Sequence, residues 1–275
     1  MTDNGAWDPT LFRGAAEYYL QGRQPYAPGL ADTLKDLFSL DPATSRLLDV
    51  GCGPGSVCVP IAHLYQSGVG IDPDPGMITD ARNFAARQNQ PNLEFLELPA
   101  ERLPAGLGRF DTITFGSSFH WMDRERVATT VKSMLTAAGA VVQVDTSREP
   151  RPTPSLPHPL PPRPQIKDLV TRYLGPERRA GKIIGFESPA DENLIWPRAG
   201  FTGPQTVVIP DGRILERTID DVIAGTLSMS SSTPYLFGER LEDFRRDLAD
   251  LLAAASPDGR FSVPLPDTEL RIWRQ

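Results

Sequence analysis

Three glycines at alternate positions, directly after an apolar run, are the feature that most constrains this chain. Leu48–Val50 has the character of a buried strand, and Gly51, Gly53 and Gly55 follow it. Glycine permits positive φ in a tight strand-to-helix turn, and its missing side chain lets a ligand lie against the backbone. Asp72 ends the next predicted strand, 21 positions after Gly51. A carboxylate there can accept hydrogen bonds from both hydroxyls of a ribose, so the pattern predicts a site for a nucleoside-bearing cofactor.

The spacing of these glycines narrows the choice of cofactor. A dinucleotide site typically shows G-x-G-x-x-G, but here the spacing is G-x-G-x-G and Ser56 stands where the third glycine would fall. A P-loop is excluded because no Gly-Lys-Ser/Thr follows. An NAD(P)-dependent oxidoreductase is therefore disfavoured, although it stays an alternative at this point.

Apolar runs alternate with helical patterns, which predicts an α/β fold with a doubly wound, mostly parallel sheet. The predicted strands are Arg46–Val50, Gly68–Asp72, Leu93–Leu98, Phe110–Phe115, Ala140–Val144, Thr206–Ile209 and Glu269–Trp273. The predicted helices of this alternating part and of the C-terminal part are Ser56–Gln66, Asp74–Gln90, Arg124–Leu135, Ile166–Leu174, Asp191–Ala199, Ile219–Ser228 and Leu241–Ala255. Asp74 is placed to cap its helix, with Pro75 in the first turn.

Eight prolines between Pro150 and Pro164 interrupt this alternation. Proline fixes φ and removes a backbone donor, so the stretch predicts an extended connection, either a stiff spacer or a P-x-x-P partner tract. We therefore divide the chain into an N-terminal lid (1–45), a cofactor-binding core (46–145), a proline-rich inserted cap (146–203) and a C-terminal part of the core sheet (204–275).

Composition excludes several classes of partner. The formal net charge is −7 and the pI is about 5.1, which argues against nucleic acid and anionic membranes. The chain contains no run of about 18 apolar residues, so no membrane span is predicted. The N-terminus lacks the pattern of a signal peptide. Cys52 and Cys58 have no matching histidine spacing, so we expect two thiols in a cytoplasmic protein and no metal site.

The segment D-V-G-C-G-P-G at Asp49–Gly55 resembles motif I of the class I S-adenosylmethionine (SAM) methyltransferases. The chain as a whole is similar to the small-molecule enzymes of the ubiquinone-biosynthesis and trans-aconitate type. It is more similar still to a bacterial group with S-F-H-W-M-D, here Ser118–Asp123, and L-F-G-x-R, here Leu236–Arg240. The resemblance implies a Rossmann-like, seven-stranded sheet with an N-terminal helical lid and SAM as cofactor, released as S-adenosylhomocysteine.

The same resemblance implies which residues bind the cofactor. The N-terminal segment would close over it, with Tyr18, Tyr19 and Arg23 near the methionine carboxylate, although two adjacent tyrosines leave the register open. In such a fold the loop after the third strand lies beside the adenine. The cofactor-binding residues expected from the motifs are Asp49, Gly51, Gly53, Asp72, Pro73, Met77, Ala100, Glu101 and Ser117.

The block after the fourth predicted strand carries the candidate for catalysis. His120 follows that strand at the ligand-binding edge of the sheet, and histidine suits proton transfer near neutral pH. It could instead pack against Trp121 as a structural residue. An aromatic wall for the acceptor is expected from Phe119, Trp121, Phe186, Trp196 and Phe201.

Together these features predict a SAM-dependent methyltransferase acting on carbon or oxygen of a small, apolar natural product of secondary metabolism. In-line transfer from a sulfonium needs alignment and exclusion of water, and O-methylation needs a base besides. A non-catalytic SAM-binding module is compatible with the same motifs. We also expect a homo-oligomer, because the lid could close over a neighbouring subunit.

Overall fold

The fold is built on one main sheet of seven strands in the part of the chain that the computed structural model describes, residues 8–147, 149, 155–177, 179–180, 183–184 and 192–275. The strands are β1 (Arg46–Val50), β2 (Ser67–Asp72), β3 (Leu93–Glu97), β4 (Phe110–Gly116), β5 (Leu135–Thr146), β6 (Arg179–Ala180), β7 (Ile183–Ile184), β8 (Thr202–Ile209), β9 (Ile214–Thr218), β10 (Arg260–Pro264) and β11 (Thr268–Arg274). The helices are α1 (Ala16–Gly22), α2 (Leu30–Leu37), α3 (Cys58–Ile61), α4 (Pro75–Arg87), α5 (Arg124–Ser133), α6 (Arg163–Leu174), α7 (Glu192–Arg198), α8 (Ile219–Leu227), α9 (Pro234–Phe237) and α10 (Leu241–Ala255).

The strand order of the main sheet is β3-β2-β1-β4-β5-β11-β8. The first five of these strands pair in parallel, whereas β11 runs antiparallel to both of its neighbours. This confirms the predicted Rossmann-like, mostly parallel sheet. The chain reverses its direction of winding between β1 and β4, and ligands bind at such a switch point beyond the carboxyl ends of the strands.

Apolar side chains form three clusters. One covers the face of the sheet beneath α2, α3 and α4, and a second covers the opposite face beneath α5 and α7. A third joins α6, α8, α9 and α10 with β10. Within the region predicted as a cap, α6 packs with α8, α9 and α10, which we call the helical layer, whereas α7 packs on the main sheet.

The cap predicted at the start of α4 is present, whereas two other elements differ from the prediction. The Asp74 carboxylate accepts a hydrogen bond from the Met77 amide at 3.0 Å and caps α4, with Pro75 as its first residue. The predicted helix over 56–66 starts later, because Pro60 has no amide N–H to donate to the Ser56 carbonyl. It begins as α3 at Cys58 and passes into a 3₁₀ turn over 62–64. β9 and β10 pair antiparallel in a separate two-stranded sheet, which was not predicted from the sequence.

The proline-rich connection lies along β10 where the structure describes it. His158 donates its amide N–H to Ser262 Oγ at 3.0 Å, and the Ser262 amide donates to Pro159 O at 3.0 Å. Pro150, Pro152 and Pro154 lie outside the described residues. Across the described residues, no helix combines the length and the apolar character that a bilayer span requires.

Candidate functional site

The turn after β1 brings backbone close to the end of β4. Gly51 has φ +67°, and a Cβ added there would lie 2.7 Å from Ser118 Cβ and 2.9 Å from Met122 Cε. Any side chain would therefore displace the neighbouring loop as well as strain the backbone. This turn, which has no side chain at Gly51 or Gly53, faces two adjoining cavities.

Asp72 stands at the end of β2 with its carboxylate directed toward this turn. Its side chain accepts hydrogen bonds from the amides of Gly53 and Asp74, both at 2.9 Å. Burial raises the pKa of this carboxyl to about 7, since removal from water disfavours the charged form. Each oxygen retains a second lone pair, so the ionised group can accept hydrogen bonds from two hydroxyls of a ligand.

Asp49, in β1, is a second buried carboxyl at this edge. It accepts hydrogen bonds from Thr114 Oγ1 at 2.8 Å and from the Cys58 amide at 3.3 Å. Burial raises the pKa of Asp49 to about 6. Because Asp49 borders the larger of the two cavities, it can hold a cationic group there.

The smaller cavity, of about 60 Å³, gathers most of the predicted cofactor residues. Its lining contains Tyr19, Gly51, Gly53, Asp72, Pro73, Met77, Ala100, Glu101 and Ser117 from the sequence analysis, and Phe12, Pro99, Gly116, Ser118 and Met122 in addition. One carboxylate oxygen of Glu101 accepts a hydrogen bond from the Asp123 amide at 2.9 Å, which leaves the other for a ligand. Sequence reasoning missed Phe12 because it lies far from every motif.

Trp121 borders this smaller cavity, although it is predicted to form the acceptor wall. Its ring meets Phe12 edge to face, with centroids 5.7 Å apart. Phe12 belongs to the N-terminal segment, so this contact brings that segment over the smaller cavity. About 60 Å³ is far below the roughly 300–1,000 Å³ of a ligand pocket, and we expect Phe12 to move when a nucleoside enters.

The larger cavity, of about 830 Å³, lies beneath the helical layer. Asp49 and Arg23 border it, together with one face of α6 and one face of α8. Tyr19, Gly51, Gly53, Gly116 and Ser117 line both cavities. The two cavities therefore meet at the carboxyl ends of β1 and β4.

The two adjacent tyrosines of α1 point in different directions. Tyr19 borders both cavities, and the Arg23 guanidinium lies over its ring, 4.9 Å from the centroid. Tyr18 packs instead against the cluster that contains α10, so the structure does not place it with the cofactor residues. Arg23 donates from Nη2 to Ser228 O at 2.8 Å, which ties α1 to the end of α8.

Three residues predicted to wall the acceptor lie in the core. Phe119, Trp196 and Phe201 are at most 4% exposed and belong to the cluster beneath α5 and α7. The Phe119 and Trp196 rings stack with centroids 4.5 Å apart. The expected acceptor role is wrong for these three, because their large apolar surfaces are buried against the sheet rather than beside the cavity. Phe186 lies outside the described residues.

His120 is half-buried in a 3₁₀ turn, with its ring 4.6 Å from that of Trp121. It is not among the described residues that line either cavity. This position agrees with the alternative in which His120 packs against Trp121. Proton transfer by His120 would require its side chain to turn toward the acceptor.

Ser117 occupies the junction of the two cavities. It has φ +49°, which is unusual for a residue other than glycine, and its Oγ donates to Asp145 Oδ1 at 2.8 Å. Arg271 donates to the other Asp145 oxygen at 2.7 Å. Tyr26 stands beside them, donates its hydroxyl proton to Val144 O at 3.4 Å and borders the larger cavity. Burial raises the pKa of Tyr26, so it remains a neutral hydroxyl donor near neutral pH.

Comparisons with known proteins agree with this geometry. A family described as methyltransferase domain matches residues 47–139. A 2-heptyl-1-hydroxyquinolin-4(1H)-one methyltransferase of Mycobacteroides abscessus is 29% identical over 187 residues, which cover 64% of this chain and 82% of that protein. An uncharacterized methyltransferase of Mycobacterium tuberculosis is 24% identical over 249 residues, which cover 90% and 89% of the two chains. Residues 47–139 are a methyltransferase domain, and the protein is a SAM-dependent methyltransferase.

Solved structures show the fold of this methyltransferase in other proteins. The YcgJ protein of Bacillus subtilis has a TM-score of 0.50 at 19% identity, over 90% of this chain and 98% of that one. The [4+2]-cyclase SpnF has a TM-score of 0.50 at 17% identity, over 92% and 84%. Since a cyclase shares the architecture, the fold alone does not decide the reaction, and the acceptor must be argued from the larger cavity.

Proposed function

We propose that this methyltransferase transfers the SAM methyl group to a small, largely apolar acceptor bound in the larger cavity. The observation that carries the proposal is the meeting of the two cavities at Tyr19, Gly51, Gly53, Gly116 and Ser117. A cofactor lying along the smaller cavity would present its sulfonium end to the larger one. Proximity and alignment at such a junction are the main requirements of the reaction, because the sulfonium methyl is already electrophilic.

Buried and half-buried groups fit the successive parts of the cofactor. In the proposed arrangement Asp72 accepts the ribose hydroxyls, and Met77 and Ala100 lie beside the adenine. Asp49 takes the amino group, while Arg23 and Tyr19 hold the carboxylate. In this arrangement Asp49 carries the charge opposite to that of the ammonium group, and Arg23 the charge opposite to that of the carboxylate.

The acceptor class is inferred from the lining of the larger cavity. A volume of about 830 Å³ lies within the usual range for small-molecule sites. Ile166, Val170, Leu174, Val222 and Met229 give it an apolar side, which suits a natural product with a hydrocarbon portion. The mycobacterial relative acts on a hydroxyquinolone with a heptyl chain, according to its name, and such a compound combines the expected features.

Incubation of the protein with SAM and 2-heptyl-1-hydroxyquinolin-4(1H)-one tests the proposal. We expect methylated product by mass spectrometry, and calorimetric binding of S-adenosylhomocysteine at micromolar affinity, about −8 kcal/mol, without binding of NADH. Binding of NADH in place of S-adenosylhomocysteine would reject the proposal. Cofactor binding with no turnover of this or any other apolar hydroxyl or alkene acceptor would leave a SAM-binding module.

If the acceptor carries a hydroxyl, we propose that its proton passes to Asp145 through Ser117 Oγ. Ser117→Ala and Asp145→Asn should then each lower kcat, within the roughly 10²–10⁴-fold range of general base catalysis, while the affinity for S-adenosylhomocysteine stays nearly constant. His120→Ala is the comparison, and its kcat should stay within a few-fold of wild type. A large rate loss in His120→Ala alone would assign the proton transfer to His120.

A further inference from the structure

One face of α6 combines apolar and cationic side chains along the larger cavity. Ile166, Val170 and Leu174 border the cavity with Arg163 and Lys167. Positions three, four and seven apart share a helix face, so these side chains form one continuous strip. The two cations lie in its N-terminal half, and the apolar positions continue toward the C-terminal end.

Neither cation of this strip has a hydrogen bond or ion pair within the described part of the chain. Arg163 and Lys167 are one turn apart, and like charges at this spacing disfavour a helix. Folding therefore gains nothing from having both charges there, and a ligand can use both.

The other charged residues that border the larger cavity have partners within the protein or lie on the loop beyond α6. Arg23 donates to Ser228 O and is assigned to the cofactor carboxylate. Arg217 donates to the carbonyls of Gln21 and Arg23, and Asp221 accepts from Thr218 and Gln21. Asp49 is held by Thr114 and Cys58. Glu177 is exposed on the loop beyond α6.

The whole chain carries a net charge of −7 and contains only four lysines among its 28 basic residues. A pair of unpartnered cations next to the apolar side of the larger cavity is thus a local departure from the charge of the rest of the protein. Local potentials of this kind select the charge of the ligand that enters a cleft.

We infer that the larger cavity takes an amphiphile with an anionic head, whose acidic group pairs with Arg163 and Lys167 and whose apolar body lies along Ile166, Val170 and Leu174. A guanidinium and an ammonium one turn apart can bind a carboxylate together by charge-assisted hydrogen bonds. This inference rests on the proposed function, because it names the chemical class of the acceptor of that site.

Binding of decanoate and decan-1-ol to the protein saturated with S-adenosylhomocysteine tests the inference. We expect decanoate to bind about tenfold or more tightly than decan-1-ol, with a preference that falls as salt is raised. The double variant Arg163→Gln/Lys167→Gln should lose this preference and leave the alcohol within about twofold of wild type. Arg172→Gln is the matched control, since Arg172 is an exposed cation of the same helix that does not border the cavity.

Circular dichroism establishes that each variant is folded before its binding is compared. Equal binding of acid and alcohol by the wild type, no binding of decanoate, or an unchanged preference in the double variant would overturn the inference. Failure to bind S-adenosylhomocysteine would reject the proposed function itself, whereas normal binding of it without preference for the acid would reject the anionic head alone.

Discussion

Replacing Asp72 with alanine should weaken the binding of S-adenosylhomocysteine by about 1–3 kcal/mol, or roughly 5- to 150-fold, because two charge-assisted hydrogen bonds to the ribose are lost. Calorimetry of the wild type and the variant measures this directly. Asp74→Ala is a useful comparison, since it removes the cap of α4 without removing the ribose partner. Unchanged affinity in Asp72→Ala would mean that another residue holds the ribose.

The raised pKa of Asp72, about 7, makes the same interaction dependent on pH. The ionised carboxylate accepts hydrogen bonds from both hydroxyls, so the affinity should increase as the pH rises from about 6 through 7 and level off above about 8. At pH 6 the protein should release a proton on binding, which calorimetry in two buffers of different ionisation enthalpy detects. Asp72→Asn should remove the part of this dependence that is centred near pH 7 and leave only the part near pH 6 that belongs to Asp49. A dependence near pH 7 that persists in the variant would assign it to another group.

Stability without cofactor should change in the opposite direction. Asp49 and Asp72 have folded pKa values of about 6 and 7, above the ordinary 3.8, so the folded state binds protons more tightly than the unfolded state. Their contribution to the free energy of unfolding is then lost progressively as the pH rises from about 4 to about 7. Denaturant unfolding across this range, with the double asparagine variant as control, measures the slope.

Replacing Gly22 with alanine should disrupt the contact that holds α1 against α8. A Cβ on Gly22 would lie 2.3 Å from Ala224 C and Gly225 N and 2.5 Å from Ala224 O. All three are backbone atoms, so no side-chain rotation relieves the overlap and α1 must shift. We expect a loss of about 1–3 kcal/mol in stability, reduced by up to about 1 kcal/mol because alanine favours helix over glycine.

The shift should also weaken cofactor binding, because Tyr19 and Arg23 lie on or directly after α1. Thermal unfolding and S-adenosylhomocysteine titration of Gly22→Ala measure the two effects. Gly212→Ala is the control: a Cβ there meets no atom within 4 Å, and a change within about 0.5 kcal/mol is expected. If Gly22→Ala matched the control in both measurements, α1 would not be positioned by this contact.

The close approach of backbone at Gly22 arises from tertiary contacts that no local pattern reveals. Gly22 and Gly225 are about 200 positions apart, and neither stands in a motif. A glycine within a helical segment usually indicates a position that destabilises the helix, or the end of the helix. Here it marks a crossing of two helices at backbone contact.

The aromatic residues near the site illustrate the same limit. The sequence places Phe119 and Trp121 two positions apart after β4, and either could face a ligand. In the structure Phe119 stacks on Trp196 in the core, whereas Trp121 meets Phe12 at the smaller cavity. The hydrophobic effect favours burial of both side chains. Which of the two lies in the core and which at the cavity therefore depends on the neighbours that the folded chain places beside each.

By itself the sequence determined the cofactor end of this protein, because those features act over short separations. The turn at Gly51–Gly53, the carboxylate of Asp72 and the cap at Asp74 each depend on backbone conformation within a few residues of one strand end. The acceptor end was decided by tertiary structure alone. Its walls come from α1, α6 and α8, which are far apart in the chain. Only their packing shows that Tyr19 rather than Tyr18 borders the site, and that two cations of α6 border the larger cavity beside its apolar side. A long-range pocket has no local energetic signature, since each of its side chains satisfies the same helix pattern whether or not it faces a ligand.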